Sequence, residues 1–125
     1  MNRQTLKETA VDFLNRVVAG DIRGAYERYM REGSRHHNPY FAGDAASLRA
    51  AMEEDEARCP GKKLEVQVAL QDGDYVAVHS KLRRGADEPD IAVVHIFRFE
   101  DGRIAELWDI VQFAPDPMVN ENGMF

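Results

Sequence analysis

Two hydrophobic periods follow one another along this chain without mixing. Up to residue 58 the apolar side chains recur at helical spacing, and from residue 64 onward they alternate. Residues 4–19 carry Leu6, Ala10, Phe13, Leu14, Val17 and Val18 on one stripe, and residues 22–31 carry Ile22, Ala25, Tyr26, Tyr29 and Met30 on another. Gly20 stops the first helix and Asp21 can cap the second. The stretch "EGSRHHNPYFAGD" reads as irregular, because Gly33, Pro39 and Gly43 break any regular element. Asp44 can cap a third helix, "AASLRAAMEEDEAR", with Leu48, Ala51 and Met52 facing inward. Residues 64–70, 75–83, 91–99 and 103–113 then read as four strands in antiparallel succession, the first with Leu64, Val66, Val68 and Leu70 on one face. Helices grouped before strands predict an α+β domain, with three N-terminal helices on one face of a curved antiparallel sheet and room for a pocket between them. The chain reads as one domain over 1–125, with an irregular tail at 114–125.

The chain's 125 residues suit one core, and 44% apolar with 30% charged residues is ordinary for a folded globular domain. A net charge of −6 excludes binding to nucleic acid or an anionic membrane through a general basic field. The local pairs Lys62–Lys63 and Arg83–Arg84 read as solvated surface. No apolar run approaches the length of a membrane span, and "MNRQTLKETAVDFLNR" lacks the apolar core of a secretory signal. The expectation is a cytoplasmic protein without nucleic-acid or membrane partners. A single cysteine, Cys59, excludes an internal disulfide and reads as a loop thiol after the third helix. No glycine-rich phosphate loop, Ser-His-Asp pattern or paired cysteine is present, and the histidine spacing matches no compact metal motif.

The segment "VVHIFRFEDGRIAELWDIVQF" poses the functional question. It reads as a hairpin, yet His95 interrupts its first strand and Asp109 its second. Ile91, Val93, His95, Phe97 and Phe99 share one face; Ala105, Leu107, Asp109, Val111 and Phe113 share one face of the partner. A two-residue Asp101–Gly102 turn would pair Phe99 with Ile104 and send His95 and Asp109 to opposite sides. A three-residue Glu100–Asp101–Gly102 loop would pair Phe99 with Arg103 and leave Asp109 across from Val93, diagonal to His95. "EDG" fits the three-residue form, with glycine at the left-handed position, though local chemistry also allows the shorter turn. If the "RGADEPD" connection closes symmetrically, residue 83 pairs with 91 and His79 with His95, adding His79 to the group. The more apolar face of the first strands is then opposite the group, so a sheet covered on both sides, by helices and by a second subunit, is expected.

Aspartate is depleted in strands and rarely buried without a partner. A carboxylate in an apolar pocket is poorly solvated, which makes it a usable acid or base near neutral pH, and a nearby imidazole can stabilise an enolate oxygen or move a proton. The group suits proton abstraction next to a carbonyl. The structural alternatives are a core histidine and an edge carboxylate facing water. His36, His37 and Asn38 form a second polar cluster, placed to line a pocket mouth.

"HHNPYFAGDAASLRAAM", "DGDYVAVHS", "IFRFEDGRIAELWDIVQ" and the closing "NENGMF" resemble the SnoaL-like polyketide cyclase group of the NTF2-like superfamily, and more narrowly its predicted aldol-condensation-type members. The resemblance runs over nearly the whole chain. It implies an α+β cone with a strongly bent antiparallel sheet, a deep apolar pocket, dimers through the sheet, and ring closure by intramolecular aldol condensation without metal or organic cofactor. It implies an acid/base role for Asp109, in the "WD" position, assisted by His95. Many relatives of the narrower group carry aspartate where His95 stands; the phrase "HIFR" is closer to the cyclases. His37, Asn38 and His79 match positions that face the cavity in the family. Trp108, Tyr26, Phe13, Phe97 and Val111 are candidate walls by hydrophobicity and position.

These readings lead to a cofactor-independent enzyme acting on a small or polycyclic carbonyl compound, homodimeric through its sheet. The rival is a non-catalytic module that binds an apolar small molecule or a protein partner. A hydrolytic reading would need Glu106 and Arg98, but alternation places them on the face opposite Asp109. Met124 and Phe125, apolar ends of a polar tail, are expected to dock on the body or the partner, over the pocket mouth.

Overall fold

The computed structural model describes residues 4–125. Its elements run α1 (Leu6–Val18), α2 (Ile22–Tyr29), β1 (Met30–His36), α3 (Ala45–Arg58), β2 (Lys63–Asp72), β3 (Tyr75–Arg83), β4 (Ile91–Glu100) and β5 (Arg103–Phe113). The three expected helices are present, each held by local chemistry. Thr5 and Glu8 close a capping box on α1, and Gly20 turns the chain at a φ of 97°. Asp21 accepts the Gly24 amide at 3.2 Å and Asp44 accepts the Ser47 amide at 2.8 Å, capping α2 and α3.

The sheet has strand order β1-β5-β4-β3-β2, antiparallel except that β1 runs parallel to β5. Residues 32–44 are not wholly irregular as their glycines and proline suggest, because Met30–His36 form β1. "MREGSRH" shows no apolar alternation, because only Ser34 and His36 of it are fully buried. It becomes a strand because β5 would otherwise present an unpaired backbone edge.

Two one-residue bulges bend the sheet. Gln67 is extra on β2, between the pairs Val66↔Ser80 and Val68↔His79, and Ala105 is extra on β5. The first breaks the expected alternation of 64–70. Leu64 and Val66 pack against the core, whereas Val68 and Leu70 are 46% and 63% exposed. The face turned to the helices, here the inner face, joins Val76, Val78, Phe97, Phe99, Ile104 and Leu107 to Phe13, Leu14, Tyr26, Tyr29 and Leu48 in one core.

The basic pairs are not simply solvated. Arg84 binds both oxygens of Asp55 at 2.9 and 2.7 Å, and Lys62 reaches Asp55 and Glu56 at 3.3 and 3.0 Å. The Arg84 hydrogen bonds hold the Asp55 carboxyl down at about 2, and the cluster ties the end of α3 to the β3–β4 connection. Among the described residues no helix is long and apolar enough to cross a membrane. The expectation about a secretory leader rests to some extent on Met1, Asn2 and Arg3, which lie outside the described residues.

Candidate functional site

The β4–β5 turn is the two-residue Asp101–Gly102 form, with φ of 52° and 78° and flanking pairs Glu100↔Arg103 and Phe99↔Ile104. The favoured three-residue loop does not form. The two-residue turn nevertheless does not separate the candidate pair. The bulge at Ala105 restores the slip: Arg98 pairs with Glu106, and beyond it His95 lies directly opposite Asp109. Both are on the inner face with Val93, Phe97, Leu107 and Val111. Directly opposed residues hold their Cβ atoms about 4.5–5.5 Å apart.

An aromatic floor supports His95. Its ring lies 6.0 Å from that of Phe97, which meets Phe13 edge-on at 5.9 Å; Phe13 in turn lies 5.4 Å from Tyr26. Val111 is half exposed, at the rim. Of the candidate walls, Phe13, Tyr26 and Phe97 are therefore buried beneath the pair and Val111 edges it.

Asp109 is oriented from the loop that follows β1. Asn38 Nδ2 donates to Asp109 Oδ2 at 3.0 Å, and the Tyr40 amide donates to Asn38 Oδ1 at 3.0 Å, which fixes the carboxamide's direction. The Asn38 amide donates to His36 Nδ1 at 3.1 Å, while His36 Nε2 lies 2.6 Å from the Ala42 carbonyl. An accepting Nδ1 and a donating Nε2 assign one tautomer to His36. His36, expected with His37 and Asn38 at a pocket mouth, is instead buried and braces this loop. The adjacent Asn and Pro could have flagged a fixed loop, but nothing in the sequence shows that it reaches β5.

Burial pushes the His95 imidazole down to about 4, with the Asp109 charge opposing that shift. Its Nδ1 is buried without a hydrogen-bond partner among the described residues, while the residue as a whole is half-buried. His95 is therefore neutral at pH 7. Burial, reinforced by the Asp109 charge and opposed by Arg49, raises the Tyr26 phenol above its ordinary value, so it remains a hydroxyl. The chain unfolds to a histidine that protonates near 6.5, so its stability should fall as pH drops from about 6.5 to about 4. The stability difference between wild type and a His95→Asn variant should shrink across that window, by up to about 3 kcal/mol, in urea titrations at several pH values. A difference that stays constant would show that His95 is not held neutral by burial.

The other candidates fall on the outer face. His79 pairs with Val94, and Val78 is the residue opposite His95, so the register is one residue from that expected and His79 faces away from the pair. His37 stacks on Trp108 at 4.9 Å and approaches Glu106 at 2.5 Å; Trp108 sits beside Asp109 in sequence and therefore points the other way. Glu106 also binds Arg98 and Arg35 at 3.1 Å each, and these contacts with His37, its hydrogen bond foremost, hold its carboxyl down at about 2. His37, His79 and Trp108 are thus not brought to the His95–Asp109 pair, and Glu106 and Arg98 lie opposite it as alternation required. Phe125 stacks over His79 at 6.0 Å with Lys81 Nζ 5.4 Å from its ring. The tail docks on the outer face and not over a pocket mouth. Among the described residues no group of three or more histidine, cysteine or carboxylate side chains is arranged to hold a metal ion.

Comparison with solved structures shows the same fold. An uncharacterized cystatin fold protein from Novosphingobium aromaticivorans matches with a TM-score of 0.73 and 23% identity, over 86% of this chain and 99% of that one. A SnoaL-like polyketide cyclase from Agrobacterium tumefaciens str. C58 matches with a TM-score of 0.72 and 15% identity, over 88% and 93%. An NTF2-like protein of unknown function from Cytophaga hutchinsonii ATCC 33406 matches with a TM-score of 0.69 and 19% identity, over 96% and 100%. Comparison with curated proteins finds no significant match. The model of the SnoaL-like domain family matches residues 10–107, which takes in most of α1, all of α2 and α3, and ends two residues before Asp109. The chain belongs to the SnoaL-like domain family.

Proposed function

We propose that this protein is a cofactor-independent acid–base catalyst of carbonyl chemistry, an aldol-type cyclase or a proton-transfer isomerase, acting on a small or polycyclic apolar carbonyl compound. The observation that carries the reading is the direct opposition of His95 and Asp109 on the helix-facing side of the sheet. Asp109 takes the proton alpha to the carbonyl; the C–H electron pair becomes the enolate double bond and the carbonyl π pair moves to oxygen. Asn38 occupies Oδ2, and Oδ1 takes no hydrogen bond from the described residues, which leaves an oxygen to act as the base. His95, neutral at pH 7, donates a hydrogen bond to the developing oxyanion without becoming a competing acid. The enolate carbon then attacks a second carbonyl carbon, whose oxygen is protonated, or it is reprotonated at another position. Deuterium uptake alpha to the carbonyl, followed by NMR in D2O over a panel of linear and cyclic 1,3-diketones, tests this. Wild type should accelerate exchange and Asp109→Asn should not. Equal exchange by both proteins would leave a binding module.

That second reading, a non-catalytic small-molecule module, draws support from a cavity of about 630 Å3 lined by neither His95 nor Asp109, and its charged lining of Glu27, Arg31, Glu32, Asp44, Arg49 and Arg103 favours a polar guest over an apolar one. In either reading the protein works as a homodimer through its outer face. Val68, Leu70, Tyr75 and Ile110 are 46–63% exposed there, an apolar set on one sheet face for a partner subunit to cover. Sedimentation equilibrium should give a dimer, and Ile110→Lys should shift it toward monomer. A monomeric wild type at micromolar concentration would end the dimer proposal.

A further inference from the structure

β3 turns Val76, Val78 and Ser80 toward the helices, and all three are 0% exposed. The Ser80 hydroxyl is thus sealed within an otherwise apolar face, and it has no hydrogen-bond partner among the described residues. His95 Nδ1, one strand away, is in the same condition. Buried polar atoms are nearly always paired, so two such atoms on neighbouring strands call for an explanation. Being sealed, neither can be satisfied by bulk water or by a molecule in an open cavity. Their partner has to come from within the protein.

The register supplies one. Val78 is opposite His95 and Ser80 is opposite Val93, so Ser80 and His95 are diagonal neighbours on the inner face. Such diagonals have Cα atoms about 7–8 Å apart and Cβ atoms somewhat closer. A hydroxyl and an imidazole nitrogen each extend beyond Cβ, and one step of serine's χ1 between staggered wells, or one trapped water, closes the gap to a hydrogen bond. The other flank of His95 is Asp109 on β5. The ring therefore stands between a hydroxyl, which donates or accepts, and a carboxylate, which when ionised only accepts. Nε2 is not among the sealed, unpaired atoms and no described residue bonds it, so it is the nitrogen that meets the open side. A lone pair on Nδ1 and a proton on Nε2 serve both flanks; the reverse tautomer would turn a bare nitrogen toward the carboxylate.

We propose that Ser80 is the positioning residue of His95: its hydroxyl donates to Nδ1 and holds the ring as the Nε2–H tautomer, with that proton aimed at the substrate oxygen. The catalytic part of this inference rests on the acid–base reading above, whereas the Ser80–His95 hydrogen bond does not depend on it. An imidazole held this way has no bare nitrogen on the open side, so it cannot act as a second base beside Asp109. His95 is left as the oxyanion donor, and proton abstraction falls to the carboxylate alone. A residue on β3 that touches no substrate thus divides the work between β4 and β5.

The test uses protein labelled with 15N-histidine at pH 7, read by long-range 1H–15N correlation, with His95→Asn assigning the ring among the chain's 4 histidines. Wild type should show Nδ1 at the shift of a bare, hydrogen-bonded nitrogen and Nε2 at that of an N–H. Ser80→Ala should move Nδ1 downfield, as a bare nitrogen does on losing a donor. Ser80→Cys, close in shape and carrying a weak S–H donor, should fall between, and it serves should Ser80→Ala fail to fold. In the deuterium-exchange assay Ser80→Ala should lower kcat about three- to tenfold with KM little changed, the worth of one neutral hydrogen bond felt in the transition state. A protonated Nδ1 in wild type, an Nδ1 that Ser80→Ala leaves in place, or an unchanged kcat in Ser80→Ala beside an active wild type would each overturn the proposal. If the tautomer and the Ser80 effect on Nδ1 both appear while wild type accelerates no exchange, the hydrogen bond stands and the acid–base reading falls.

Discussion

An Asp109→Asn protein is expected to lose about 10²–10⁴ of the rate of any α-proton exchange or ring closure that wild type performs, which is what a positioned acid or base supplies. The substitution is nearly isosteric. The carboxamide oxygen can still accept from Asn38 Nδ2, whose own direction is fixed by the Tyr40 amide, so the loop after β1 should keep its place. Unfolding in urea should therefore be little changed while turnover collapses, and KM should move less than kcat, because the lost interaction belongs to the transition state. Asn38→Ala should have the smaller effect, since it removes the group that orients Asp109 and leaves the base itself. A variant at position 109 that keeps full activity would assign the proton transfer to another residue.

The second large effect concerns stability. Phe97→Ala should cost about 3–5 kcal/mol, the range for an aromatic truncated in a core. Phe97 is fully buried at the centre of the inner face, between the rings of Phe13, Phe99 and His95. It is the side chain through which α1 meets the strand that carries His95. Domains of this size are stable by about 5–15 kcal/mol, so the variant should unfold at markedly lower urea, with the slope of the transition kept. Phe97→Leu should cost far less, since it leaves a smaller void. A loss under about 1 kcal/mol for the alanine variant would mean that the helices are held to the sheet elsewhere.

The helices were legible because their apolar stripes and caps are local. So were β2 to β5, from alternation. What failed depends on register and edges. β1 has no apolar period, and its existence follows from the edge that β5 exposes, a fact of three dimensions. His79 falls on the face opposite the one expected because the β3–β4 connection closes one residue from the symmetric register. His37 and Asn38 are neighbours in sequence, but successive residues leaving a strand point to opposite sides, and His37 stacks on Trp108 behind the sheet. His95 and Asp109 do share a face, by a route different from the one favoured.

The hairpin's shape makes its two halves count in parity. A turn one residue shorter than favoured and a bulge one residue long together leave every side chain of β5 on its present side. Losing Ala105 itself would only remove the bulge, since the ladder from the two-residue turn then closes on the same pairs and His95 still faces Asp109; losing a residue while a bulge is kept would turn Trp108 inward and Asp109 outward. Relatives in which gaps fall between 100 and 105 should therefore be judged by turn length and bulge together. An odd change that neither the turn nor the bulge absorbs marks a chain that has given up this acid, however similar the flanking letters remain.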